Sequence, residues 1–154
     1  LSWSENKIPG INNGQWYTAA NDRRHDISVA LMYQITKKWD ISATWTFQSG
    51  QAFSAPSAKY DINNETIYYY AERNGYRAPS YHRLDISANC RRQHVTKSGR
   101  KWSSEWSFGL YNAYNRYNPY AIKIKNNPNR PTGTLTTLTA MFGIMPSVSY
   151  TFKF

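Results

Sequence analysis

The chain alternates apolar and polar residues with a period of two over long segments, the signature of β-strands with one face of each kind. Between His25 and Thr36 the odd positions are Ile27, Val29, Leu31, Tyr33 and Ile35, and the even ones include Asp26, Ser28, Gln34 and Thr36. Lys37-Lys38 makes a tight turn. The pattern then resumes with Trp39, Ile41, Ala43, Trp45 and Phe47 against Asp40, Ser42, Thr44, Thr46 and Gln48. This predicts a long hairpin with strands over 25–36 and 39–48.

A third strand is expected over 81–92, with Leu84, Ile86, Ala88 and Cys90 opposing Asp85, Ser87, Asn89 and Arg91. His94 to Lys101 reads as a polar turn containing Gly99. Trp102, Trp106, Phe108 and Leu110 then share a side, continuing through a bulge near Asn118-Pro119 into Tyr120, Ile122 and Ile124, which gives a strand over 102–125. Residues 126–133 are dense in Asn, Pro and Gly and read as a turn. From Leu138 every even position is apolar up to Phe154, through Gly143-Ile144-Met145-Pro146, so the last strand is expected to run unbroken over 135–154. Pro146 is then a local ladder defect.

These five strands have a small, hydroxyl-rich face (Ser28, Ser42, Thr44, Ser87, Ser107, Ser149, Thr151) and a continuous aromatic one. That division suits a wet lumen and a lipid-facing wall. A soluble sandwich also alternates, but no second set of strands remains to cover its apolar face. The strands also exceed the ~5–6 residues usual in globular sheets and approach the ~9–11 of tilted membrane strands. The expected fold is all-β: an antiparallel transmembrane β-barrel, of which residues 1–154 supply only the closing part. Five strands are too few to close one.

Connection lengths agree. Placing the C-terminus in the periplasm makes 126–133 and the long segment 49–80 extracellular, and Lys37-Lys38 and His94 to Lys101 periplasmic. Trp39, Trp102 and Phe154 then fall at the periplasmic interface, and Phe47, Tyr114 and Phe142 near the outer one, as an aromatic girdle requires.

Composition narrows the functions. The chain has 154 residues, 19 Lys and Arg against 9 Asp and Glu, and a net charge of +10. No basic amphipathic helix, zinc-finger spacing or RNA-binding signature accompanies that charge, so nucleic acid is not an expected partner. A single cysteine, Cys90, precludes an internal disulfide. It lies among Leu84, Ile86 and Ala88 and reads as a small lipid-facing hydrophobe rather than a nucleophile. His25, His82 and His94 share no metal-ligand spacing, and no nucleophile elbow is present, so neither a metal, a cofactor nor catalysis is expected. Asn64-Glu65-Thr66 matches a glycosylation acceptor, a pattern frequent by chance. The opening residues carry no signal peptide, which accords with a piece of a longer exported chain.

Particular stretches then resemble a family. They are Asn21-Asp22-Arg23-Arg24-His25-Asp26, Gln48-Ser49-Gly50, the run from Arg73 to Asp85 (RNGYRAPSYHRLD), the run from Tyr111 to Pro119 (YNAYNRYNP) and the ending from Pro146 to Phe154 (PSVSYTFKF). Together these resemble the C-terminal end of TonB-dependent outer-membrane receptors, the kind that carries a carboxypeptidase-regulatory-like domain. The resemblance implies a barrel of about 22 strands with a plugged lumen, engaged in energised nutrient uptake through contact with a TonB-type protein. Neither plug nor TonB box lies in this sequence. Ser147, Tyr150, Phe152 and Phe154 resemble the C-terminal signal read by the outer-membrane insertion machinery. Some relatives carry a surface lipoprotein cap, a further candidate partner.

Tyr68, Tyr69, Tyr70, Arg73, Tyr76 and Arg77 are the candidates for gripping a ligand by stacking and charge-assisted hydrogen bonds. Equally, they could pack the loop against itself. Arg23, Arg24, Arg73, Arg77 and Arg83 would meet lipopolysaccharide phosphates or pair with Asp22, Asp26, Glu72 and Asp85. Arg91, Arg92, Lys97, Arg100 and Lys101 read as a solvated charge cluster. The alternative function is a self-contained soluble β-domain that binds carbohydrate or another extracellular polymer.

Overall fold

The computed structural model describes residues 1–63, 65–127, 134–140 and 142–154. The chain is all-β with antiparallel sheets, and no α-helix occurs among the described residues. In chain order the strands begin with β1 (Glu5–Asn6), β2 (Tyr17–Thr18), β3 (Asp26–Gln34), β4 (Trp39–Gln48), β5 (Ala52–Phe53), β6 (Ala58–Ile62) and β7 (Glu65–Tyr69). They continue with β8 (Tyr76–Arg77), β9 (Tyr81–Val95), β10 (Lys101–Tyr111), β11 (Pro119–Asn126), β12 (Thr134–Ala140) and β13 (Met145–Lys153).

The chain divides into two compact units. One unit comprises residues 27–47, 82–117 and 142–154. It holds nearly all of a five-stranded sheet in the order β13-β10-β9-β4-β3. Register is fixed by the alternation itself, since a slip of one residue would exchange the two faces. Trp106 stands opposite both Cys90 and Tyr150, Phe108 opposite Ala88 and Val148, and Ser107 opposite Asn89 and Ser149. β9 has 15 residues and β10 has 11, lengths that reach or exceed a membrane-crossing strand. The tight turn before β4 is held by Thr36, whose Oγ1 accepts from the amides of Lys38 and Trp39 at 3.2 and 3.0 Å.

The other unit comprises residues 1–26, 48–81 and 118–141. It is built of two-stranded ribbons, β1-β2, β5-β8, β6-β7 and β11-β12.

β3 and β4 fall where the alternation puts them, and β9 runs three residues past the expected end. Two expectations are corrected. The strand over 102–125 is two strands, β10 and β11, which belong to different sheets. Asn112 and Asn115 cause the break by adopting left-handed φ of 53° and 55°, a region that asparagine tolerates better than most residues. The strand over 135–154 is likewise two, β12 and β13, with residues 142–144 outside either. Pro146 lies inside β13, opposite Leu110. The segment 49–80 is also more ordered than a loop, since β6 and β7 form a hairpin within it. Asn64 and residues 128–133 of the expected turn lie outside the described residues.

Candidate functional site

The five-stranded sheet presents two chemically different faces. On one, Leu31, Trp39, Ile41, Ile86, Phe108, Val148 and Phe152 are exposed side chains. Aromatic rings run along it: Trp106 and Tyr150 lie 4.7 Å apart, Tyr150 and Phe152 6.2 Å, and Phe152 and Phe154 5.4 Å. A shallow apolar hollow of about 670 Å³ sits over Ala43 and Ala88, walled by Leu31, Tyr33, Ile41 and Phe108. An exposed apolar surface this continuous marks an interaction surface rather than a solvated one.

The opposite face is a hydrogen-bonded polar ladder. Ser42 and Ser87 share a hydroxyl hydrogen bond of 2.7 Å, and Asn89 donates to Asp40 at 2.8 Å. Arg91 bridges Asp40 at 3.2 Å and Glu105 at 3.0 Å. Gly109 lies so close to β13 that a Cβ there would meet the Ser147 Oγ at 2.5 Å. The even-numbered neighbour Arg92 belongs to the apolar face, opposite Ser104. The charge cluster expected at this end is therefore split between the two faces.

In the ribbon unit the centre is Asp22, whose side chain is 1% exposed. Its carboxylate accepts from Arg77 at 2.5 Å and from the Ser4 amide at 2.9 Å. Arg77 also donates to the carbonyls of Asp22 and Gly50 at 3.3 and 3.2 Å. The Arg77 guanidinium holds the Asp22 carboxyl below its ordinary value, outweighing the burial that would raise it. Gly50 passes so close to Ala78 that any side chain would strike the Ala78 carbonyl oxygen. Arg23 adds hydrogen bonds to Gln48 at 2.5 Å and Gln51 at 3.2 Å.

At the end of β10 a second cluster turns the chain. Arg83 pairs with Asp85 at 2.9 Å and lies over the Tyr111 ring, 4.1 Å from its centroid. Asp85 accepts from the Asn112 amide at 2.9 Å. The Asn112 side chain is buried and donates to the carbonyls of Arg116 and Phe142 at 2.9 and 3.4 Å. Asn115 in turn accepts from the Ile144 amide at 2.9 Å.

The six ligand candidates, Tyr68, Tyr69, Tyr70, Arg73, Tyr76 and Arg77, all lie in the ribbon unit. Arg77 is engaged with Asp22, and Arg73 lies over the Tyr17 ring at 5.7 Å. Tyr76 pairs with Phe53 across β5-β8. Tyr68 and Tyr69 are consecutive residues of β7 and so point to opposite faces, while Tyr69 and Tyr70 are exposed. A cavity of about 330 Å³ in this unit is lined by Arg23, Gln51, Phe53, Ser54 and Tyr120 among others, and takes in none of the six. Of the arginines offered to lipopolysaccharide, Arg77 and Arg83 make the ion pairs with Asp22 and Asp85.

The interface aromatics fall into two groups. Trp39 lies 6.5 Å from Phe108, and Trp102 stacks on His94 at 4.0 Å. At the other end of the sheet Phe47 stacks on His82 at 6.4 Å, and the Tyr114 hydroxyl lies 2.7 Å from His82 Nδ1. Phe142 is exposed. The four C-terminal candidates lie on the edge strand or just beyond it, with Ser147 opposite Gly109 and Tyr150, Phe152 and Phe154 exposed. No known protein family, curated protein or solved structure matches the chain. Among the described residues no group of three or more His, Cys, Asp or Glu could hold a metal. Among the described residues no helix is long and apolar enough to cross a membrane, which says nothing about strands.

Two parts of this arrangement escape sequence reading. The sequence offers Asp22 and Asp85 as partners for the arginines, but no local pattern decides which arginine meets which carboxylate, as Arg77 meets Asp22 across 55 residues. Asn112 is one asparagine among several, and its burial follows only from the turn it closes.

Proposed function

We propose that this chain is the closing wall segment of an outer-membrane β-barrel receptor of the TonB-dependent kind, serving energised nutrient uptake. The observation that carries the reading is the exposed aromatic face of the five-stranded sheet, set against a polar ladder on its reverse. A water-soluble domain would have to cover the first face; a bilayer accommodates it, while the second suits a hydrated lumen. β3 and β13 stand at the two edges of the sheet, where further strands of the same barrel would pair. The family words quoted above coincide with the clamps at Asp22, Gly50, Asp85 and Asn112, so their role is to set where wall strands give way to surface ribbons.

On this reading β13 offers the insertion machinery an edge for strand pairing, with Tyr150, Phe152 and Phe154 as alternate side chains. The plug and the energy-coupling contact belong to other parts of the protein, and this segment performs no chemistry. The test is size-exclusion chromatography of residues 1–154 with circular dichroism on the eluted peak. Aggregation relieved by detergent, or by the missing strands, is expected. A monodisperse β-rich monomer without detergent would overturn the reading in favour of a soluble polymer-binding domain.

A further inference from the structure

On the apolar face of the sheet stands a cation, Arg92. The Arg92 side chain makes no ion pair or hydrogen bond among the described residues, and its neighbours towards the sheet edge at β13 are Ser104 and, beyond it, Phe152. Ser104 is small and buried, so the surface dips at its position between the exposed Arg92 and Phe152. On one side stand Trp106 and Tyr150, with Trp39 nearby; on the other Trp102 stacks on His94 at 4.0 Å. His94 Nε2 lies 3.0 Å from the Ser104 hydroxyl. Arg92, Ser104 and these aromatic side chains line an open hollow of about 490 Å³.

We infer that this hollow binds the headgroup of an anionic glycerophospholipid, its phosphodiester on Arg92 and one acyl chain along Trp39, Trp106 and Phe108. The inference rests on the barrel reading, which turns this face towards lipid. Within that reading its basis is charge complementarity. A guanidinium on a lipid-facing strand is costly unless it lies at headgroup depth with an anion. Arg92 sits three residues before the end of β9, at the level of the tryptophans that an interface collects. Its planar fork suits a phosphate, which accepts two parallel hydrogen bonds. The Ser104 hydroxyl adds a polar contact beneath, and the flat indole rings match the glycerol and upper acyl region.

The test uses the complete barrel bearing these strands, reconstituted in phosphatidylcholine vesicles, with tryptophan fluorescence quenched by brominated phosphatidylglycerol or brominated phosphatidylcholine. The expected result is roughly a threefold preference for phosphatidylglycerol. Arg92→Gln should reduce it to near unity, Arg92→Lys should restore part of it, and Arg100→Gln on the adjoining turn should leave it intact. A preference unchanged in Arg92→Gln, or lost equally in Arg100→Gln, would overturn the site while leaving the barrel standing. An absence of quenching by either lipid would overturn both.

Discussion

Arg77 donates to the buried Asp22 carboxylate at 2.5 Å, across 55 residues of chain. The same guanidinium reaches the Gly50 carbonyl, so one side chain ties the first residues of the chain to the segment that follows β4. Removing it leaves a desolvated carboxylate unpaired. Arg77→Ala should therefore destabilise the ribbon unit by about 3 kcal/mol, the scale of breaking one partner of a buried pair. Arg77→Ala with Asp22→Asn should recover part of that loss. Limited proteolysis within residues 48–81 measures both.

The pair also sets an acid limit. The Asp22 carboxyl is held below its ordinary value of 3.8 because Arg77 and the Ser4 amide favour its charged form. A carboxyl with a depressed folded value contributes stability that is complete above 3.8 and is lost as pH falls through the folded value. Hydrogen exchange at the Ser4 amide should stay slow above pH 3.8 and quicken below it, relative to the intrinsic rate. Asp22→Asn should abolish that added pH dependence.

Two glycines make unlike contacts. A methyl on Gly50 would strike the Ala78 backbone carbonyl, which moves only with the chain, whereas one on Gly109 would meet the end of the Ser147 side chain, which can rotate. Gly50→Ala should cost about 2–3 kcal/mol as an overpacked site. Gly109→Ala should cost under about 1 kcal/mol, within the range of mild substitutions. Thermal unfolding of the two variants decides this.

Asn112 combines a left-handed backbone with a buried side chain that closes the turn after β10. Asn112→Ala loses both contributions and should cost about 2–3 kcal/mol. Asn112→Gly keeps the backbone and should recover about 1 kcal/mol of that. Amide exchange at Arg116, whose N–H donates to Asn112 Oδ1 at 3.1 Å, reports the difference.

Phe154 is 97% exposed, so it adds little to the finished sheet. On the proposed barrel reading, Phe154→Ala should change unfolding of the assembled protein by less than about 0.5 kcal/mol, as for an ordinary surface site. It should nonetheless slow membrane insertion severalfold. Equal insertion rates for the two proteins would remove the assembly role from this residue.

The legible and illegible parts of the fold divide for a physical reason. β3 and β4 were readable because Lys37-Lys38 interrupts an otherwise unbroken alternation, and Thr36 supplies the capping hydroxyl. The breaks after Tyr111 and Ala140 were not, because apolar residues resume at even positions on both sides: Leu110 then Tyr120, Ala140 then Val148. Parity survives any break that leaves the apolar positions an even number apart. What marked the first break was the pair of asparagines at 112 and 115, a signal of backbone sign rather than hydropathy.

The candidate site was legible in one dimension only. Alternation assigns each strand residue to a face, and it therefore separated Arg91 from Arg92 in principle. It says nothing of what lies across the strand. That Arg91 is neutralised by Asp40 and Glu105 while Arg92 faces a row of Ser104 and Phe152 depends on register, which only the paired strands reveal. The engagement of Arg77 by Asp22 likewise depends on a partner far away in the chain.

The central claim is that even positions of β10 face lipid and odd positions face water. Nitroxide labels placed singly from Trp102 to Leu110, in a Cys90→Ala background of the assembled barrel, test it through collision with membrane-soluble oxygen and a water-soluble nickel chelate. The account predicts a period of two, with oxygen access at 106, 108 and 110 and nickel access at 103, 105 and 107. Even positions shielded from both reagents would mean that another protein layer covers the aromatic face, and the wall assignment would fall.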